Sequence, residues 1–169
     1  MIRKVFILLL LGGLFLNVDY DTNAKIKAIY IFNFANYIEW PKEYRDEPFV
    51  IGILGDSPLI KELQSMSSTK KVFNQSIQVR KFEDLASVSR CHILYVPVDT
   101  KDPITGVLGS VKNYSTLVVT DKPGLAQQGS AINFVVLQNR VKFELNESNA
   151  VKYNLKVSNS LEALAILVN

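Results

Sequence analysis

The sequence is poor in the residue types that most often build catalytic and metal sites. It has one cysteine, Cys91, one histidine, His92, and one tryptophan. A zinc site of the usual kind takes several cysteine or histidine ligands, more than this chain holds. Cys91 and His92 are adjacent, and neighbouring side chains in a strand point to opposite faces of the sheet. The sequence therefore excludes a thiol–imidazole pair, and we expect His92 to be a hydrogen-bonded polar group beside the core.

Sequence motifs of the common enzyme classes are missing as well. No Gly-x-Ser-x-Gly nucleophile elbow occurs. The segment GILGDSP has neither the glycines and Lys-Ser/Thr ending of a phosphate loop nor a dinucleotide fingerprint. Carboxylates at Asp56, Asp99 and Asp121 are the remaining acid–base candidates, and their spacing singles out no pair. We therefore predict a protein that is not an enzyme and that has no cofactor and no metal.

Positive charge is modest and scattered. The formal net charge is +3, and no basic run is longer than Lys70-Lys71. Nucleic-acid binding depends on clustered lysine and arginine, which this sequence lacks. We predict no nucleic-acid partner.

The single cysteine limits redox chemistry. Cys91 can form no internal disulfide, and it begins the apolar segment CHILYVPV, which is typical of a buried strand. We predict an inert core thiol, and a redox role or a disulfide to a second chain is the less favoured alternative.

An apolar run near the start predicts export. A short basic segment precedes Val5 to Leu16, and polar residues follow. This is the pattern of a secretory signal peptide, and the run is too short to cross a bilayer. Thr22-Asn23-Ala24 places small residues before a cleavage point. We expect residues 1–24 to be a signal peptide and residues 25–169 to form one periplasmic domain without stable membrane insertion.

The first predicted element after the leader is apolar around most of its circumference. Residues 25–39 predict a helix, most of it within the segment KAIYIFNFANYIEWP (residues 27–41), and Trp40-Pro41 end it. Burial of each large apolar side chain is worth about 1.5–3 kcal/mol, so we expect its second face to be covered too, by the domain's own sheet and C-terminal helix or by another chain. The main stripe consists of Ile26, Ile29, Tyr30, Phe34, Tyr37 and Ile38.

Strands and helices then alternate along the chain. The predicted strands are 49–55, 76–82, 92–98 and 115–120, with helices over 59–64 and 102–112. Such alternation predicts a parallel sheet covered by helices.

The C-terminal part does not continue this alternation of strands and helices. Residues 130–146 predict an antiparallel hairpin with its turn at 138–140, on one edge of the sheet. A helix capped by Asn146 follows, and then a C-terminal helix. That last helix would begin at Ser158 or Ser160 and bury Leu161, Leu164, Ala165 and Val168. We predict an α/β fold, Rossmann-like or flavodoxin-like, with a mostly parallel sheet, an antiparallel C-terminal hairpin and flanking helices.

Polar residues follow three of the predicted strands, and in open α/β sheets ligands bind beyond the carboxyl ends of the strands. A small-molecule sensor or carrier with its ligand in this crevice is therefore one functional alternative. The crevice residues would be Asp56, Ser57, Asp99, Asp121 and Lys122.

The sequence also resembles a known family. KAIYIFNFANYIEWP followed by FVIGILG, and GSAINF followed by VKFELN, are similar to segments of the YfiR-like family of bacterial periplasmic proteins, in the same order. The most distinctive residues are Asn33-Phe34-Ala35, Trp40-Pro41 and Phe143-Glu144-Leu145-Asn146. The resemblance implies a dimeric, Rossmann-like signalling regulator. It would bind the periplasmic sensor domain of an inner-membrane diguanylate cyclase, repress cyclic-di-GMP synthesis, and so limit biofilm formation.

The resemblance directs attention to Glu144 and Asn146 as partner contacts. Glu144 should point away from its two strand neighbours, either to solvent at the sheet edge or to the partner. Exposed residues of the first helix, such as Tyr30 and Tyr37, would serve the partner or a homodimer. The partner could equally be another membrane receptor, such as a sensor kinase.

One departure from the family concerns disulfides. The resemblance implies a cysteine pair between the first and third strands, and Cys91 corresponds to the second of these positions. Gly52 stands at the first position, and residues 126–133, where another pair would lie, contain no cysteine. Redox control through internal disulfides is therefore not expected.

Overall fold

A computed structural model describes residues 22–46 and 48–169. The predicted signal peptide, residues 1–24, lies almost wholly outside the described residues. The first helix begins at Thr22. In the described ranges, no helix has both the length and the apolar character needed to cross a membrane.

Helices and strands alternate as predicted through most of the chain. Two short 3-10 helices, Lys42–Tyr44 and Leu85–Ser87, lie between the larger elements. In chain order the elements are α1 (Thr22–Tyr37), β1 (Ile38–Glu39), β2 (Phe49–Leu54), α2 (Leu59–Ser67), β3 (Lys71–Val72), β4 (Gln75–Phe82), β5 (Ile93–Val96), α3 (Ile104–Val111), β6 (Leu117–Thr120), β7 (Ile132–Leu137), β8 (Arg140–Leu145), α4 (Glu147–Val151), β9 (Lys156–Val157), α5 (Asn159–Glu162) and β10 (Ile166–Leu167).

The central sheet has the order β10-β8-β7-β6-β5-β2-β4-β3. Its middle strands, β4-β2-β5-β6-β7, are parallel and follow the order 2-1-3-4-5 of flavodoxin-like folds. β8 is antiparallel to β7, and β3 is antiparallel to β4. A separate pair joins β1 to β9. The predicted α/β class and the predicted hairpin are confirmed.

Two hydrophobic cores lie on the two faces of the sheet. Phe49, Ile51 and Ile53 of β2 pack into the core beneath α1 and α2. Val50 and Leu54 pack on the other side, with α3. The alternation follows from the period of two in a strand, and burial on both faces explains why β2 is apolar throughout.

The first helix differs from its prediction at its end and in its buried face. It ends at Tyr37, and the next two residues form β1, paired with β9. Ile29 and Tyr37 of the predicted stripe are exposed. The small Ala28 and Ala35 let the helix lie close against the sheet, so the face they share is the one buried. The domain's own α2, α5 and β8 contact the helix. Its buried residues are Ala24, Ala28, Ile31, Phe34 and Ala35, and Ile38, the first residue of β1, is buried as well.

The predicted C-terminal helix is wrong beyond its first turn. Ser158 caps α5 through its hydroxyl, and Leu161 is buried, but the helix stops at Glu162. The chain then forms β10, parallel to β8, and Val168 N–H donates to the Leu145 carbonyl. Pairing satisfies backbone groups that β8 would otherwise leave open at a sheet edge, and this outweighs the helical periodicity.

Candidate functional site

The sheet brings most of the predicted crevice residues together. A cavity of 260 Å³ lies beyond the carboxyl ends of β2 and β5. These strands flank the topological switch point of the 2-1-3-4-5 order, where ligands bind in such folds. Asp56, Ser57, Asp99 and Asp121 line it. Lys122 is not a lining residue; its backbone N–H donates to Asn133 Oδ1 at 3.2 Å, and its side chain is exposed.

Two of the crevice carboxylates are already paired within the chain. Lys27 Nζ lies 2.5 Å from Asp121 Oδ2, and the Tyr95 hydroxyl donates to the same oxygen at 2.8 Å. Asp56 contacts Lys81 at 2.7 Å. Hydrogen bonds to Asp56, and then to Glu83, raise the pKa of Lys81. The sequence did not identify Lys27 and Tyr95, because their approach to Asp121 is set by tertiary packing.

Glu144 is half-buried and held by an amide. Its strand lies between β7 and β10, so Glu144 does not stand at the sheet edge. Asn133 Nδ2 donates to Glu144 Oε2 at 2.9 Å. Asn133 is fully buried, and its Oδ1 accepts from the Thr120 hydroxyl at 2.8 Å and from Lys122 N–H. The carboxylate is therefore fixed at the surface rather than mobile.

Glu144 belongs to a part of the sheet that helix α3 does not cover. The strand registers place Asn133, Glu144 and Ile166 on one face, with the Val135–Lys142 and Leu137–Arg140 pairs beside them. The opposite face of the same strands carries Phe134 and Phe143 and is buried under α1. We call this surface the open sheet face. Its partly or fully exposed residues are Val135, Leu137, Arg140, Lys142, Glu144 and Ile166.

The other predicted partner residues differ in their accessibility. Asn146 is buried: its Oδ1 accepts from Asn149 N–H and caps α4, and its Nδ2 donates to the Ala126 carbonyl at 3.1 Å. Tyr30 is half-buried, with its ring edge-on to Phe143 at 5.4 Å. Tyr37 is 39% exposed. Of these three, Tyr37 is the one most accessible to another molecule.

A larger cleft lies at the amino ends of the parallel strands. Its volume is 710 Å³, and the β1–β9 pair, the first 3-10 helix and the β3–β4 turn form its walls. We call it the aromatic cleft, because Tyr37, Trp40, Tyr44, Phe49 and Phe73 line it. The sequence analysis missed this cleft. One sequence feature could have indicated it: four aromatic residues lie close together from the end of α1 to the start of β2, namely Tyr37, Trp40, Tyr44 and Phe49.

His92 forms part of the floor of the aromatic cleft. Val50 N–H donates to His92 Nδ1 at 3.1 Å, so the proton lies on Nε2, which donates to the Tyr44 carbonyl at 2.8 Å. The ring stacks on Phe49 with centroids 4.2 Å apart. The prediction of a hydrogen-bonded polar residue beside the core is confirmed.

Cys91 faces the opposite core, as the strand argument predicted. It is 1% exposed and packs among the residues beneath α3. Burial raises the pKa of its thiol to about 12. The thiolate is the nucleophile in disulfide chemistry, so this thiol is unreactive in the folded protein.

The match to known proteins covers nearly the whole chain. The sequence profile of a family described as YfiR/HmsC-like matches residues 24–166. The chain belongs to the YfiR/HmsC-like family. Comparison with curated proteins gives no match. The family is one of periplasmic regulators, and a role in cyclic-di-GMP signalling fits it.

In this member of the YfiR/HmsC-like family a phenylalanine occupies the space beside Cys91. A Cβ added at Gly52 would lie 3.4 Å from Cys91 Sγ, but only 2.5 Å from Phe82 Cε2. The position at which the resemblance implied a cysteine is therefore close to Cys91, and in this chain the Phe82 ring lies against it.

Hydrogen bonds hold the segment in which the resemblance implied a second cysteine pair. Asn149 Nδ2 donates to the carbonyls of Ala126 and Ser130, at 2.9 and 3.1 Å. Asn146 Nδ2 donates to the Ala126 carbonyl as well. Buried amides thus fix the β6–β7 connection by non-covalent contacts.

Proposed function

We propose that this protein is a periplasmic regulator that represses an inner-membrane signalling enzyme of the diguanylate cyclase type by direct contact with its sensor domain. The family match over residues 24–166 supports the general role and carries the proposal. A sensor kinase is the other membrane partner that such a regulator would serve. The protein acts by binding and performs no catalysis of its own.

We place the partner contact on the open sheet face. It combines apolar area at Val135 and Leu137 with two cations, Arg140 and Lys142, that form no ion pair among the described residues. Glu144 adds a fixed carboxylate. Mixed surfaces of this kind are typical of non-obligate interfaces, in which charges set specificity and association rate.

Tyr37 and α1 supply a second contact in this proposal. Tyr37 and Ile29 are the exposed large side chains of α1, and they would serve a homodimer. Asn146 and Tyr30 are left out of the binding surface, because their contacts are inside the domain.

The test is capture of the partner from solubilised membranes with a tagged full-length protein. We expect a membrane cyclase or kinase to co-purify with the wild type and to be lost with Lys142→Glu and with Glu144→Arg. Glu144→Gln removes the negative charge but keeps an acceptor for Asn133. It therefore tests whether the charge itself, rather than the local hydrogen bond, is needed for capture. Lys112→Glu is the control, because Lys112 is exposed and follows α3, outside the open sheet face. Equal capture by all variants would refute the assigned surface, and absence of any membrane partner would refute the function.

A small-molecule sensor or carrier is the second candidate function. The observation that favours it is the crevice at the switch point, lined by Asp56, Ser57, Asp99 and Asp121. A thermal-shift screen of nucleotides and amino acids should then raise the melting temperature, and Asp121→Ala should abolish the increase. A flat screen would exclude this candidate.

A further inference from the structure

One edge of strand β7 has no neighbouring strand over most of its length. β6 pairs with β7 at Ile132 and Asn133, and β7 then continues to Leu137. On its other side, β7 is paired with β8 along this whole length. No strand of the described chain lies beside Phe134–Leu137 on the side of β6. We call this stretch the free edge of β7.

The hydrogen bonds of the hairpin show which backbone groups the free edge exposes. In an antiparallel pair, residues whose N–H and C=O face the partner strand alternate with residues whose groups point away. Asn146 N–H donates to the Ala131 carbonyl at 2.8 Å, so the odd-numbered residues of β7 face β8. The Tyr30 hydroxyl donates to the carbonyl of Val141, which lies opposite Val136. Val136 therefore points its N–H and C=O outward, toward the empty side.

The free edge lacks the features that usually protect a sheet edge. Protected edges are very short, or they carry charged residues or proline. The outermost strands of the sheet, β3 and β10, follow this rule, since each has two residues. The free edge reads Phe-Val-Val-Leu, without charge or proline, and Val136 and Leu137 are 59% and 46% exposed. Such an edge is suited to pairing with a further strand.

Three cations surround the free edge. Lys122 comes two residues after the end of β6. Lys142 and Arg140 lie opposite Val135 and Leu137, on the open sheet face. All three cations are exposed and form no ion pair among the described residues.

The adjoining carboxylates do not balance these cations. Asp121 is neutralised by Lys27, and Glu144 accepts from the neutral amide of Asn133. Three cations therefore face one carboxylate. A second copy of this chain paired on the same edge would bring two such groups of cations together, and like charges across an interface oppose association. An acidic strand is attracted instead.

We propose that the free edge of β7 binds an extended acidic segment of the partner as an additional strand, placed where β6 would run if it continued. Backbone hydrogen bonds to Val136 hold the segment. Side chains of a strand alternate between its faces, so acidic residues at every second position lie on the open sheet face, near Arg140 and Lys142. The proposal rests on the proposed function in one respect, that the segment belongs to the sensor domain of the membrane enzyme.

The test is a fluorescence-polarisation titration of the full-length protein with labelled eight-residue peptides. In one peptide valine alternates with glutamate, and in its control valine alternates with lysine. We expect the glutamate peptide to bind about tenfold more tightly, a ratio that corresponds to about 1.4 kcal/mol.

Two N-methylated versions of the glutamate peptide test backbone pairing. One carries the methyl groups on its valine nitrogens and the other on its glutamate nitrogens. Only alternate residues of an added strand direct their N–H to β7. One version should therefore lose binding and the other should keep it, and this contrast requires no change in the protein.

Variants of the protein locate the site. Val136→Pro removes the outward N–H, which the hairpin does not use, and should weaken the glutamate peptide about tenfold. Val136→Thr keeps the N–H and a β-branched side chain, and should bind as the wild type does. The triple variant Lys122→Gln, Arg140→Gln and Lys142→Gln should lose the preference for glutamate over lysine. Lys112→Gln, which follows α3, should keep it.

Three results would overturn the proposal: no binding of the glutamate peptide, equal behaviour of the two N-methylated versions, or equal binding by folded Val136→Pro and Val136→Thr. If Val136→Pro does not fold, the N-methylated pair decides. A dimer in sedimentation velocity that dissociates in Val136→Pro would assign the edge to a second copy and overturn the proposal as well.

The outcomes separate this site from the proposed function. Peptide binding in the absence of any membrane partner would refute the function and leave the strand-binding edge standing. A membrane partner captured equally by the wild type and by Val136→Pro would refute the edge and leave the function standing.

Discussion

Asn133 and Glu144 face each other across the β7–β8 pair, and the amide of one donates to the carboxylate of the other at 2.9 Å. This contact joins the buried polar groups at the end of β6 to the open sheet face. It fixes in one place the charge that we propose to meet the partner. Binding then requires less ordering of that side chain than a mobile surface carboxylate would need.

Replacing Asn133 should destabilise the fold. Asn133→Ala removes the acceptor of the Lys122 N–H and the donor to Glu144, while the Thr120 hydroxyl keeps the Ser130 hydroxyl and the Ile132 carbonyl as partners. We expect the free energy of unfolding to fall by about 1–3 kcal/mol. Urea denaturation measures this change. Glu144→Gln, which keeps an acceptor, should change stability by less than about 1 kcal/mol. An Asn133→Ala variant as stable as the wild type would show that the hydrogen bonds of Asn133 do not contribute to stability.

Gly52 should tolerate no larger side chain. Its added Cβ would lie 2.5 Å from the Phe82 ring, so Gly52→Ala is expected to cost about 1–3 kcal/mol through overpacking. Gly109→Ala is the matched control, because nothing lies within 4 Å of its added Cβ and alanine favours its helix by up to about 1 kcal/mol. Opposite signs in thermal unfolding confirm the argument. Equal effects, or rescue failing in a Gly52→Ala/Phe82→Leu double variant, contradict it.

The Cys91 thiol should be unreactive in the folded protein. Its pKa is raised to about 12 by burial, so its thiolate is scarce near neutral pH. A thiol-specific reagent at pH 8 should label it only after denaturation. The folded pKa exceeds the unfolded value, so its stabilising contribution is complete below about pH 9 and is lost as pH rises toward 12. Cys91→Ser should flatten that alkaline decline, and rapid labelling of the native chain would refute the assignment.

The Lys27–Asp121 pair should stabilise the contact between α1 and the end of β6. Both side chains are mostly buried, 16% and 15% exposed. Lys27→Met removes the cation and leaves the hydrogen bond from the Tyr95 hydroxyl to the carboxylate in place, and we expect a loss of about 1–3 kcal/mol. Lys27→Met combined with Asp121→Asn should recover part of it in a double-mutant cycle.

A matched control for that pair lies at the same end of the sheet. Asp56 pairs with Lys81 but is 92% exposed, and exposed ion pairs contribute little. Asp56→Asn should therefore leave thermal stability unchanged. A loss equal to that of Lys27→Met would mean that burial does not govern these contacts.

Local pattern was sufficient to predict four of the parallel strands and the hairpin. The strands at 49–55, 76–82, 92–98 and 115–120, and the hairpin, follow from period and turn residues, and Gln138 and Asn139 adopt the positive φ that a tight hairpin needs. The end of the chain could not be predicted in this way. β10 forms because β8 offers an unpaired edge, and that edge exists only in the folded sheet.

The candidate sites also differ in whether the sequence could predict them. Four residues of the strand-end crevice could be predicted, because strand ends of a parallel sheet meet at one edge. The aromatic cleft could not, since it forms where β1 pairs with β9 across most of the chain's length. Glu144 was identified through family resemblance, but its hydrogen bond to Asn133 depends on strand register.

The most direct test of the regulatory role is the cellular level of cyclic di-GMP in a strain that lacks this protein. We expect deletion to raise that level, wild-type protein to restore it, and Lys142→Glu to fail although it is exported and folded. Lys112→Glu should restore the level as the wild type does. A level that is unchanged by deletion, or restored equally by Lys142→Glu, would contradict repression through the open sheet face.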